Sequence, residues 1–185
     1  YTDLAAISDP VERATEFMDF VDEGFQDQLI GAVQTGIQAS LEELASVGSD
    51  ELYPLADRWD VQSNGLNGAG LSLQAAAGSQ NSEMIVKYGE LIYQVQPIAD
   101  IADVLARSYS LLGNNEKYLE YANIIINERG IGEAFDFAYN IFQQELAVPN
   151  WETAADWATR LNSLSSAPSG VAAAEWQGMG QEFQK

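Results

Sequence analysis

The chain has 185 residues, 28 acids against 8 bases, a formal net charge of −20, and neither His nor Cys. Disulfide staples, imidazole or thiolate metal sites and nucleophilic mechanisms that need a Cys or a His base are therefore excluded. Nucleic acid and anionic lipid, which bind basic patches, are poor partners for such a field, whereas cations and basic protein surfaces are attracted to it.

In chain order, Ser8-Asp9-Pro10-Val11-Glu12 opens the first predicted helix, with Asp9 as cap, Pro10 in the first turn and Glu12 near the positive end. Val11, Ala14, Met18, Val21 and Phe25 form one apolar stripe, which Phe17 and Phe20 widen. Leu29, Ile30, Val33, Ile37, Leu41 and Leu44 mark a second amphipathic helix that stops near Gly48. Ser49 opens a short helix to about Asp60. The run Asp60–Gly70 (DVQSNGLNGAG) is rich in Gly and Asn and predicts a turn.

The organisation expected is an N-terminal hairpin over 1–60, a turn over 61–70 and a helical array over 71–185. Its helices are placed near 71–78, 83–95, 97–112, 115–129, 131–146, 151–164 and 170–184. Pro97 suits a first turn, Gly113 and Gly130 suit stops, Asn150 suits a cap, and 163–170 suits a loop. No sustained alternation occurs, so the fold class expected is all-α, antiparallel helical hairpins stacked as a short solenoid or bundle, with essentially no sheet.

Leu105, Tyr109, Gly113, Tyr118 and Ala122 have counterparts 33 residues on at Ala138, Phe142, Leu146, Trp151 and Ala155, the trace of a repeating hairpin. Residues 105–129 (LARSYSLLGNNEKYLEYANIIINER) resemble a tetratricopeptide repeat through Leu105, Tyr109, Gly113, Ala122 and Ile125. Tyr118 departs from that pattern, and no Pro closes the unit. The resemblance covers about residues 98–164. It implies a partner groove lined by the first helix of each hairpin, here Asp100, Asp103 and Arg107, then Glu133, Asp136 and Asn140. Ile98, Ile101, Leu105 and Leu112 are expected on the opposite, core face. Trp157, off the Trp151/Ala154/Ala158/Leu161 stripe, and Trp176, between polar residues, are expected as exposed interface anchors.

No spacing announces catalysis or a metal. Paired acids at Asp19/Asp22/Glu23 and Glu42/Glu43 are ordinary in so acidic a chain. Asp60-x-Gln62-x-Asn64-Gly65 mimics the start of a calcium loop but has Leu71 where the closing Glu belongs. The function expected is a non-enzymatic interaction or linker subunit of a larger assembly, docking on other protein subunits, including basic surfaces, with no cofactor and no nucleic acid. The alternative is a helical module in which Tyr109, Tyr139, Phe142 and Trp157 hold an apolar ligand or pigment. A start at Tyr1 without Met and few lysines lead to the expectation of a mature exported protein, periplasmic, lumenal or of a virion. No run of 18 apolar residues exists, and peripheral attachment to a membrane complex fits.

Overall fold

The computed structural model describes residues 2–24, 26–147, 151–164, 167–168, 171 and 173–182. For Thr2, residues 26–30 and 173–176, and Glu182 the description is of the backbone alone. Eleven α-helices and no strand occur among the described residues, as the hydrophobic periodicity predicts. The chain divides into two compact units, Tyr1–Pro97 and Ile98–Lys185. The Gly/Asn-rich run therefore lies inside the first unit.

The first unit contains α1 (Thr2–Ala5), α2 (Pro10–Asp22), α3 (Gln26–Ser46), α4 (Leu52–Ser63), α5 (Asn67–Gly78) and α6 (Ser82–Val95). Asp9 caps α2 as expected, its carboxylate accepting from the Val11 amide at 2.9 Å with Pro10 in the first turn. Ala14, Phe17 and Met18 of α2 pack with Val33, Ile37, Leu41 and Leu44 of α3 and Leu52, Ala56 and Trp59 of α4. Phe25 and the side chains of Leu29 and Ile30 lie outside the described residues. Arg13 ties this core together, donating to Ser40 Oγ at 2.8 Å, Ile7 O at 3.0 Å and Glu43 at 2.5 Å.

The connection between α4 and α5 is only residues 64–66, not the whole of 61–70. The cause is Asp60, whose two carboxylate oxygens accept from the Gly68 and Ala69 amides, both at 2.7 Å. That satisfies the first free donors of α5 and lets a glycine-rich segment start a helix.

The second unit contains α7 (Ala99–Leu111), α8 (Asn115–Arg129), α9 (Phe135–Ala147), α10 (Trp151–Asn162) and α11 (Ala173–Glu182). In it α7 packs on α8, α8 on α9 and α9 on α10. Only three residues separate α7 from α8 and α9 from α10, and five separate α8 from α9; helices in contact across connections this short run antiparallel, so these are helical hairpins. Their rings are layered: Tyr109 on Tyr121 at 5.9 Å, Phe135 on Tyr139 at 5.7 Å, Tyr118 against Phe137 at 6.3 Å. Pro97 precedes α7 instead of entering it, and α9 starts at Phe135 after a turn over 131–134. Asn150, expected as a cap, lies outside the described residues, as does part of the loop expected over 163–170.

A 33-residue period runs through the buried positions. Ala69, Ala102 and Phe135 are buried equivalents, as are Ser72, Leu105 and Ala138, and Ala76, Tyr109 and Phe142. Leu52, Ile85 and Tyr118, and Ala56, Gly89 and Ala122, do the same for the second helices of three hairpins. The turns repeat as well. Gly48, Gln80 and Gly113 have φ of 66°, 57° and 72°. In each turn the next amide donates back into the helix: Ser49 to Leu44 O at 3.0 Å, Asn81 to Ala76 O and Asn114 to Tyr109 O at 2.9 Å. These are Schellman ends, which close a helix and reverse the chain in a few residues.

Candidate interaction surface

Asp100, Asp103 and Arg107 lie on α7 and Asp136 and Asn140 on α9, whereas Glu133 stands in the turn before α9, and most of these charges are spent on one another. Arg107 on α7 donates to Asp103 at 2.5 Å, one turn back, and to Asp136 of α9 at 2.8 Å. Arg129, at the end of α8, donates to Asp103 at 3.0 Å and to Asp100 at 2.6 Å. Asp100, Asp103, Arg107, Arg129 and Asp136 thus form an alternating chain that joins three helices. The Arg107 guanidinium also lies 4.8 Å from the centre of the Phe137 ring. Burial works against the charge of Arg107, yet its bonds to Asp103 and Asp136 outweigh that and hold it above the ordinary arginine range. Each exposed pair in such a chain contributes only a few tenths of a kcal/mol to about 1 kcal/mol. Its main consequence is that three acids and two bases leave little net field there. Glu133 and Asn140 are exposed, and Asn140 accepts from Gln144 at 3.1 Å.

Trp157 is not a surface anchor. It is 6 % exposed, on the buried stripe of α10 with Ala154, Ala158 and Leu161, and the Arg160 guanidinium covers its ring at 4.0 Å. The buried stripe of α10 keeps Ala154, Ala158 and Leu161 of the expected one but takes in Trp157 and leaves out Trp151, which opens the helix in solvent. The Trp176 side chain lies outside the described residues. Two positions expected in the core face water instead: Ile98 precedes the first turn of α7 and Leu112 follows its last.

The apolar surface that sequence reasoning missed is at the hairpin ends of the second unit. Leu111 is 78 % exposed, Leu112 45 %, Leu146 36 % and Trp151 66 %. Leu111 and Leu112 close α7, Leu146 closes α9 and Trp151 opens α10, so antiparallel packing gathers them at one end of the unit. Glu116, Glu152 and Asp156 are exposed on the helices that begin there. The available signal was positional: a Leu-Leu pair directly before a turn glycine, and a Trp in the first position of a helix, lie beyond the buried stripe.

Positive charge is mostly held internally. Arg13, Arg58, Lys87, Arg107, Lys117 and Arg129 are all in ion pairs, and Arg160 lies on Trp157. Hydrogen bonds from Arg58 and Gln62, then the Arg58 charge, hold the Asp22 carboxyl below its usual range. No group of His, Cys, Asp or Glu able to hold a metal ion occurs among the described residues. The carboxylate of Asp60, first in the calcium-like run, is occupied by backbone amides.

Tyr118 gives a pH-dependent readout of this unit. Burial, then the Asp136 charge, pushes its hydroxyl from 10.0 up to about 12. The folded state therefore keeps a proton that the unfolded chain releases near pH 10.0, and this stability, complete below that pH, is lost as pH rises through about 12. Tyr118→Phe should flatten alkaline unfolding in that window, and an ultraviolet titration of the folded variant should lose one tyrosine that ionises near pH 12. An unchanged profile would place the Tyr118 hydroxyl in water.

No family model matches the chain, and no match is found among curated proteins or among solved structures. Among the described residues no helix is long and apolar enough to cross a membrane.

Proposed function

We propose that this chain is a non-enzymatic interaction subunit built of tetratricopeptide-type hairpins, and that it docks on basic protein surfaces through the hairpin ends of its second unit. Trp151 and the exposed leucines 111, 112 and 146 supply the apolar centre. The exposed acids Glu116, Glu152 and Asp156 supply the rim. The observation that carries the reading is Trp151, a large aromatic left in water at the end of the unit where the exposed Leu111, Leu112 and Leu146 also close their helices. A contiguous apolar patch rimmed by charge is what a partner buries, and an aromatic anchor supplies a large share of the affinity. The rest of the negative charge steers a basic partner toward it, which raises the association rate more than the affinity. Tyr109, Phe142 and Trp157 are buried, and Tyr139 packs on Phe135 and Phe142. Ring-on-ring packing of this kind favours a structural role for those residues over a pigment site.

The test starts from native capture of the partner with identification by mass spectrometry, followed by kinetics with the purified pair. Trp151→Ala should weaken binding by about tenfold or more through faster dissociation, with an unchanged melting temperature. Raising salt should slow association. A partner that binds Trp151→Ala as well as the parent chain, or at a salt-independent rate, would defeat the proposal.

A further inference from the structure

A cleft of about 380 Å³ in the first unit runs between α3 and the α4–α5 connection, and its lining differs from the rest of the chain. Gln34, Thr35 and Gln38 from one face of α3, Trp59 and Ser63 from α4, and Asn67 at the start of α5 line it. Gly31 and Gly65 add backbone. In a chain of net charge −20, none of these described lining groups is ionisable.

Trp59 is 4 % exposed, and its indole Nε1–H finds no acceptor among the described residues; nor does the Oγ of Ser63, which also lines the cleft, find a partner among them. Gln62 Oε1 is a third unpartnered atom, but Gln62 does not line the cleft and its amide nitrogen donates to Met18 O and Asp22 of α2. Three of the four buried side-chain polar atoms without a partner among the described residues thus fall within 59–63. Buried donors and acceptors are satisfied in the great majority of cases, and two exceptions on residues that line one cleft point to a missing hydrogen-bonding group. The second observation, independent of the first, is the lining. Thr35 and Gln38 are already oriented, the Thr35 hydroxyl by Gly31 O at 2.7 Å and the Gln38 amide by Glu42 at 2.9 Å.

We propose that this cleft binds an uncharged saccharide. A hydroxyl group is able to accept both from the Trp59 indole and from Ser63, so one kind of ligand atom suits both unmet groups at the cleft. An anion is opposed by the field of the chain. A cation finds no carboxylate among the described lining. An apolar ligand or a peptide anchor finds a single apolar side chain, Trp59. The volume falls in the range of small-ligand pockets and suits one or two sugar rings.

The experiment is a titration of the full, ¹⁵N-labelled chain with glucose, maltose and N-acetylglucosamine, read at the tryptophan indole N–H signals. Trp59→Phe, which removes the N–H but keeps a ring in the core, assigns the Trp59 signal. That signal alone should move, saturably and in the millimolar range, with at least one of these sugars. Ser63→Ala should weaken binding by roughly fivefold, the effect of one lost neutral hydrogen bond. Glucuronate, of similar size but charged, should move the signal less. Should Trp59→Phe fail to fold, Gln34→Ala at the exposed rim takes its place and should also weaken binding, with the signal assigned by through-bond correlation. A shift that is linear in sugar, shared by all indoles or unaltered in Ser63→Ala would overturn the proposal. So would a Trp59 N–H that contacts only bound water and ignores every sugar.

Discussion

Trp157→Ala should remove about 3–5 kcal/mol from the stability of the second unit, the cost of emptying a fully packed large aromatic site. Trp157 sits among Ala154, Ala158 and Leu161 on the stripe that α10 turns toward α9, where small neighbours cannot expand to refill the space. The truncation also strands the Arg160 guanidinium, which loses the ring beneath it. Trp151→Ala, six residues earlier on the same helix, should change stability by no more than about 0.5 kcal/mol, as surface substitutions do. Denaturant melts followed by circular dichroism separate the two, because helix content reports both variants without relying on the deleted indole. Equal losses from both substitutions would mean that Trp151 is packed, and the proposed docking edge would lose its anchor. A small loss from Trp157→Ala would mean the α9–α10 hairpin contributes little to the unit.

The two tryptophans also show what the sequence could and could not convey. Apolar periodicity is a local property, so the helices, their order and the 33-residue recurrence of Leu105/Ala138 and Tyr109/Phe142 were readable from it. The recurrence breaks in the second helix of the last hairpin. The core positions Tyr118, Tyr121, Ala122 and Ile125 of α8 find their counterparts 36 residues on, at Ala154, Trp157, Ala158 and Leu161. Helix α9 runs to Ala147, three residues beyond the point that a 33-residue step from Leu111 gives. Those three residues shift the register of the following helix, so a 33-residue step lands beside its buried stripe and not on it. Trp151 and Ala155, the counterparts at a step of 33, accordingly go to the surface, and Trp157 goes inside.

The acidic face was legible as composition and not as electrostatics. That Asp100, Asp103 and Arg107 share a helical face follows from their spacing. That Arg129 and Asp136 neutralise them does not, because those partners come from other helices, 26 to 29 residues away along the chain. The cleft beside Trp59 was hidden for the same reason. Its lining is assembled from α3, α4 and α5, and no local pattern marks a buried indole that lacks an acceptor.

Two glycines of α5, two positions apart, should respond to alanine with opposite signs. Gly68 lies where α5 crosses α4, and a Cβ there would meet the Cα, carbonyl carbon and carbonyl oxygen of Ala56, none farther than 3.0 Å. These are backbone atoms and cannot swing aside, so α5 must move as a whole. Overpacking of this kind costs about 1–3 kcal/mol. The same movement pulls the Gly68 and Ala69 amides off Asp60, and losing a helix cap costs about 1 kcal/mol more. Gly68→Ala should therefore destabilise the first unit by about 2–4 kcal/mol in spite of the better helix propensity of alanine. A methyl group on Gly70 would have no atom within 4 Å, and Gly70 is exposed and has no positive φ. There the propensity difference stands alone, and Gly70→Ala should stabilise by about 0.5–1 kcal/mol. Asp60→Asn measures the cap separately, and because it leaves the α4–α5 spacing intact its cost should be well below that of Gly68→Ala. If Gly68→Ala instead stabilises the chain as Gly70→Ala does, α4 and α5 do not approach closely, and the glycine-rich start of α5 has some purpose other than letting two backbones touch.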